Sequence, residues 1–202
     1  MTTSLEVLNH VLNVVGESPV SDYNSTHPTA TSVRTQIVRV NKELQKRGWY
    51  FNTEYDLTLT PNELGQILVP STTLFIDPID PYSSLVRRGS KLYDPVEHTF
   101  IIDASVSVNC VLLLSIEDLV ESAAMYVMHK TALDYYVNDD GDNTKAIELE
   151  KRVATAWAAL QSEELKAANV SAMNRPAVQA LRYRMQQYGN SYNPRWPGGR
   201  PV

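Results

Sequence analysis

The sequence predicts an α+β fold: an antiparallel helical bundle with an inserted small, mostly antiparallel β domain and an extended C-terminal tail. Three observations lead there. Apolar residues recur at helical spacing near both ends of residues 1–170, aromatic and β-branched runs cut by Pro, Gly and Asp turns fill the middle, and beyond them a short helix expected at Pro176–Gln187 gives way to Tyr188–Val202, which has neither period. The segments are 1–48 for the first two helices, 49–114 for the β insertion, 115–170 for the last two helices and 171–202 for a partner-dependent tail.

Thr3 with Glu6 is a capping-box pattern, and behind it Leu5, Leu8, Leu12 and Val15 share a face that Val7, Val11 and Val14 widen. Gly16 supplies a left-handed stop. A helix apolar over so wide an arc is expected between other helices. After a polar loop with Pro19 and Pro28, Val33, Ile37, Val40 and Leu44 mark a second helix that Gly48 ends.

From Trp49 the period changes. Trp49, Phe51 and Tyr55 alternate on what reads as an emerging strand closed by Pro61. Further strands are expected at Ile67–Val69, Thr73–Ile76, Leu85–Arg88, Lys91–Tyr93, Phe100–Ile102 and Val106–Leu114. Arg88-Gly89-Ser90-Lys91 is the best hairpin, because glycine accepts the positive φ of a tight turn. Ser115 with Asp118 opens a third helix that reaches Val137. A fourth, capped by Asp142 or Asn143, carries Ile147, Val153, Trp157 and Leu160 to about Ala168. Four such helices are expected to join in one bundle with the sheet at its end or side.

The 202 residues carry 18 basic and 23 acidic side chains, a net charge of −5. The split says more than the total: residues 1–170 hold thirteen basic and 23 acidic groups, a balance of −10, while 171–202 hold five arginines and no acid. An acidic body disfavours a general nucleic-acid binder, and a basic tail suggests a neighbour of opposite sign. Cys110 is the only cysteine, so no intrachain disulfide forms. The N-terminus lacks the basic start and apolar core of a signal peptide, and the most apolar stretch, Leu119 to Val137, is broken by Glu121, His129, Lys130 and Asp134. A soluble protein synthesised in the cytosol, with no membrane span, is expected.

Little in the chain resembles catalytic machinery. Gly-x-Ser-x-Gly is missing, and His10, His27, His98 and His129 have no metal-ligand spacing. In Asp139-Asp140-Gly141-Asp142 an EF-hand register would put Tyr136 and Ile147 at the outer ligand positions, so an interhelix turn is the better reading. Glu54 with Asp56 on one strand face, and Asp77 with Asp80 in a Pro-rich turn, are the carboxylate pairs a glycan hydrolase would need. A solvated strand face and turn chemistry explain both. No catalytic residue, metal or cofactor is assigned.

Several blocks, taken in order, resemble a known family: Leu8-Asn-His-Val-Leu12, Gly16-Glu-Ser-Pro-Val-Ser21, Leu44-Gln-Lys-Arg-Gly-Trp-Tyr-Phe-Asn52, Leu57-Thr-Leu-Thr-Pro61 and Arg88-Gly-Ser-Lys-Leu-Tyr-Asp94. Together they look like the tail tubular protein A family of short-tailed bacteriophages. The first half carries most of the likeness, and the second half matches in helical layout. The resemblance implies a non-enzymatic virion tail protein: a ring, usually of twelve copies, between the portal protein and the tail nozzle, tail tubular protein B. Such a ring retains packaged double-stranded DNA and passes it, without sequence-specific binding, during ejection. It also implies ring contacts through the bundle and nozzle contacts through the β insertion. Arg47, Gly48, Trp49 and Phe51 then read as a fold hinge whose rings set the angle between bundle and sheet. In the tail, Arg182, Arg184, Tyr188, Tyr192, Arg195, Trp196 and Arg200 are expected to grip the portal or a neighbouring copy. A tail-associated glycan hydrolase is the alternative.

Overall fold

The computed structural model describes residues 1–79, 81–82, 84–139 and 143–173. The chain divides into two compact units, Met1–Ser162 and Glu163–Val202, and the described part of the second is the end of one helix.

Helix α1 (Ser4–Val15) begins as its chemistry dictates: Thr3 Oγ1 accepts the Glu6 N–H and the Glu6 carboxylate accepts the Thr3 N–H, satisfying two N-terminal donors. Gly16, at φ 86°, closes it with N–H bonds back to the last turn. Helix α2 (Pro28–Gln45) starts with Pro at its first position and buries Ala30, Val33, Ile37, Val40 and Leu44. Helix α3 (Glu121–Asp139) packs on both, so α1 does lie between helices, with Val7, Leu8, Val11 and Leu12 buried. The third helix begins later than its capping pattern suggests. Ser115 Oγ donates to Asp118 and closes a short 3-10 turn over Ile116–Asp118, and extended Leu119 separates that turn from α3.

Helix α4 (Asn143–Met173) runs past Ala168. Its buried stripe is Leu149, Ala156 and Leu160, with Val153 and Trp157 partly covered, whereas Ile147 is 52% exposed. Leu149, and not Ile147, is therefore the first core position. Two residues apart on a helix is roughly 200° of rotation, so packing against the bundle can take only one of them.

Strands β1 (Thr53–Leu59), β2 (Thr73–Pro78) and β5 (Val106–Leu112) form an antiparallel sheet in the order β1-β5-β2, and β3 (Val86–Arg88) with β4 (Lys91–Tyr93) forms the expected hairpin, Gly89 at φ 65° in its turn. Ile67–Val69 and Phe100–Ile102 are not strands. Leu68 makes a single bridge to Lys91, and the Ile102 N–H bonds the Gly65 carbonyl. These runs are apolar because Ile67, Val69 and Ile102 close a second core with Leu85, Leu92, Val106 and Val108, not because they extend a ladder. Among the described residues no helix is long and apolar enough to cross a membrane.

Candidate docking surfaces and the bundle–sheet joint

The passage from α2 to β1 is built from backbone turns and side-chain amides. Gly48 sits at φ 74°, and a Cβ there would meet Val111 Cγ2 at 3.1 Å, so the position is both left-handed and crowded. The expected strand from Trp49 does not form. Residues 49–52 make a turn in which the Asn52 N–H bonds the Trp49 carbonyl at 3.1 Å and Asn52 Oδ1 accepts the Trp49 N–H at 2.7 Å. Trp49 and Phe51 consequently do not alternate; their rings lie nearly parallel, 6.3 Å apart at 8°. The strand begins only at Thr53, and Tyr55 is 75% exposed.

Trp49 is buried, and its Nε1 donates to the Leu44 carbonyl at 2.8 Å. Trp157 from α4 meets it edge-on at 5.5 Å, and the exposed Arg47 guanidinium lies 5.1 Å from the Trp49 ring and 5.3 Å from the Trp157 ring. One tryptophan thus touches the end of α2, the joint turn and α4.

Beneath the rings is a polar lock. Asn52 Nδ2 donates to the carbonyls of Gln45 (3.0 Å) and Leu112 (2.8 Å), while the Gln45 side chain accepts the Leu114 N–H at 2.8 Å and donates to the Leu114 carbonyl at 2.9 Å. Asn41 Nδ2 also reaches the Leu114 carbonyl, at 3.0 Å. Asn41, Gln45 and Asn52 therefore join the last turns of α2 to the end of β5, each buried with its amide partnered. Gln45 and Asn52 fall inside the block that carries the family resemblance, yet their bonds are set by tertiary placement, and only the burial of two amides beside an apolar helix face could have signalled them.

The carboxylates sit differently from their sequence pairing. Between Glu54 and Leu57 the register of β1 against β5 shifts, and Asp56 takes φ 55° with its N–H on Asn109 Oδ1, so Glu54 and Asp56 do not share a regular strand face. Asp77 lies on β2 opposite Asn109, and Asp80 lies outside the described residues. Cavities of about 570, 390 and 310 Å³ are lined by helical residues of the bundle. The largest lies between α3 and α4 and is mostly apolar, with Met125, Ala156 and Ala159 beside His129 and Arg152. No group of three or more His, Cys, Asp or Glu side chains suited to a metal ion occurs among the described residues. The calcium-like loop falls largely outside them, as do the short helix expected at Pro176–Gln187 and the residues Arg182, Arg184, Tyr188, Tyr192, Arg195, Trp196 and Arg200.

His10 and His129 meet edge to face across α1 and α3, ring centroids 5.3 Å apart, and His10 Nε2 and His129 Nδ1 are buried without a hydrogen-bond partner. Burial, with the nearby Arg152 charge, lowers the pKa of His10 from 6.5; burial, then His10 and Arg152, lowers that of His129. The sign follows from linkage. Below 6.5 the unfolded chain takes up protons that the folded one resists, so the stability present above 6.5 is lost as pH falls toward the depressed values. The urea midpoint should drop between pH 7 and pH 5. A double His10→Phe/His129→Phe variant should flatten that slope, and an unchanged slope would show that these rings do not set it.

A family model for tail tubular proteins matches residues 5–193. The chain belongs to the tail tubular protein family. Tail tubular protein A of Klebsiella phage KP34 is 34% identical over 140 residues, 69% of this chain and 75% of that relative. A tail tubular protein is a structural component of the bacteriophage virion tail.

Proposed function

We propose that this tail tubular protein is the head-to-tail adaptor: copies form a ring, of twelve in the family's usual arrangement, between the portal and the tail nozzle, tail tubular protein B. The ring retains packaged DNA and gives it passage on ejection. The observation that carries the reading is the family match across residues 5–193, which takes in bundle, sheet and most of the tail. Charge distribution supports it. A body at −10 facing a channel in part repels phosphate, so DNA slides instead of adhering. The five arginines after residue 170 hold an acidic surface on the portal or on a neighbour, with Tyr188, Tyr192 and Trp196 as anchors.

Arg47, Gly48, Trp49 and Phe51 serve this role as a fixed joint, holding the sheet at one angle to the bundle so that every copy presents the same faces. The role needs no turnover. Electron microscopy of the full chain mixed with its portal should show a collar of twelve-fold symmetry. Replacing Arg195, Trp196 and Arg200 together by Ala should reduce collar formation several-fold while leaving the thermal midpoint of the free chain unchanged. Undiminished assembly would remove the tail from the portal contact.

A further inference from the structure

The β insertion has an unequal distribution of charge. Residues 49–114 contain eight acidic side chains and three basic ones, and all three cations, Arg87, Arg88 and Lys91, lie in the single hairpin β3–β4. Among the described residues none of them is in a salt bridge, nor are Glu54 and Asp56 of β1.

Topology puts these two groups on opposite flanks of one sheet. β1 is an outer strand, and β2 is the other. The hairpin adjoins the β2 side, where the Arg87 guanidinium donates to the Thr73 carbonyl of β2 and to the Gly89 carbonyl at 2.8 Å. The two flanks are offset by about 7 Å along β5: Thr73, which Arg87 touches, stands opposite Leu112, and Glu54 stands opposite Cys110, two residues away.

Each flank has an apolar element within its charges. On β1 the exposed Tyr55 lies between Glu54 and Asp56; on the other flank Leu68, 54% exposed, bridges Lys91, and Val86 is 42% exposed. A tyrosine set in a charged rim is a common interface anchor. The bulge and the two acids of β1 discourage ladder pairing with another strand, so a partner there is met by side chains.

We infer that the Arg88–Lys91 hairpin of one copy docks head to tail on the Glu54–Tyr55–Asp56 strand of the next copy. The occupant is a second copy of this chain, because the surface complementary to each flank is the opposite flank of the same sheet. Such a contact is heterologous and closes into a ring when the rotation per copy allows. The inference rests on the ring reading above and moves part of the subunit contact from the bundle to the sheet.

Arg88→Glu and Glu54→Arg, each in the full chain, should cut collar formation on the portal about tenfold or more, since each places like charges at every contact. Arg87 is left alone because it is tied to Thr73, and Lys91→Glu, which spares the Arg88 guanidinium stacked 3.6 Å from the Tyr93 ring, reverses the same flank and should give the same loss. Mixing the two variants should restore the collar: in an alternating ring of even number, each reversed flank meets a reversed flank and each native flank a native one. A folding defect in either variant would not be repaired by mixing. If the native chain forms a collar but either single variant does so equally well, or the mixture does not recover, the sheet-flank contact is wrong and the ring reading stands. If the native chain forms no collar on portal, the ring reading falls and this contact with it.

Discussion

Trp49→Ala should destabilise the folded chain by about 3–5 kcal/mol, the range for truncating a large buried aromatic. The expectation rests on position as much as on area. Trp49 is 2% exposed, its Nε1 donates to the Leu44 carbonyl at the end of α2, and its ring meets both Phe51 and Trp157. Removing it opens a cavity where three segments converge and leaves Arg47 with one ring in place of two. Urea unfolding of the variant measures the loss. Trp49→Phe should cost clearly less, because it keeps most of the volume and gives up the indole donor. Equal losses for the two variants would mean that the Leu44 hydrogen bond, and not packing, dominates.

Asn52→Ala is the second large effect, at roughly 3 kcal/mol. Three groups lose their side-chain partner at once: the Trp49 N–H and the carbonyls of Gln45 and Leu112. A buried group left unsatisfied costs about 1–3 kcal/mol, and the sum is reduced because the Gln45 and Leu112 carbonyls keep room for other donors. Asn52→Asp separates the two halves of the lock. It keeps the acceptor for Trp49 but turns an oxygen toward two carbonyls, so it should be worse than Ala at pH 7 and improve as pH falls and the carboxyl takes up a proton. A pH-independent Asn52→Asp would show that the amide nitrogen is not facing those carbonyls.

Local chemistry is what the sequence made legible. The Thr3–Glu6 box, Gly16, the Val33–Ile37–Val40–Leu44 stripe and the Gly89 hairpin each depend on neighbours a few residues away, and each forms. Where a local reading failed, the packing decided. Leu149 and Ile147 are equally apolar, but only one face of α4 meets the bundle. Trp49-x-Phe51 has the period of a strand, yet Asn52 draws its backbone into a turn through Trp49 and Gln45 close by in sequence and through Leu112 of β5, a partner sixty residues on that no local window includes. The apolar runs at Ile67–Val69 and Ile102 reflect burial in a core without reporting how their backbone pairs. The residues proposed for portal contact carry a compositional signal alone, five arginines with aromatic partners.

The joint between bundle and sheet is held by carboxamides, an indole and backbone groups, none of which changes charge in the physiological range. The contacts proposed for Arg88, Glu54 and the arginines of the tail are ionic, and such contacts are screened over about 8–10 Å at ordinary salt. A change in the surrounding electrolyte therefore acts on the two levels of the assembly separately. It can loosen the grip between copies while each copy keeps its own bend, so a collar could breathe at its seams without any subunit changing shape.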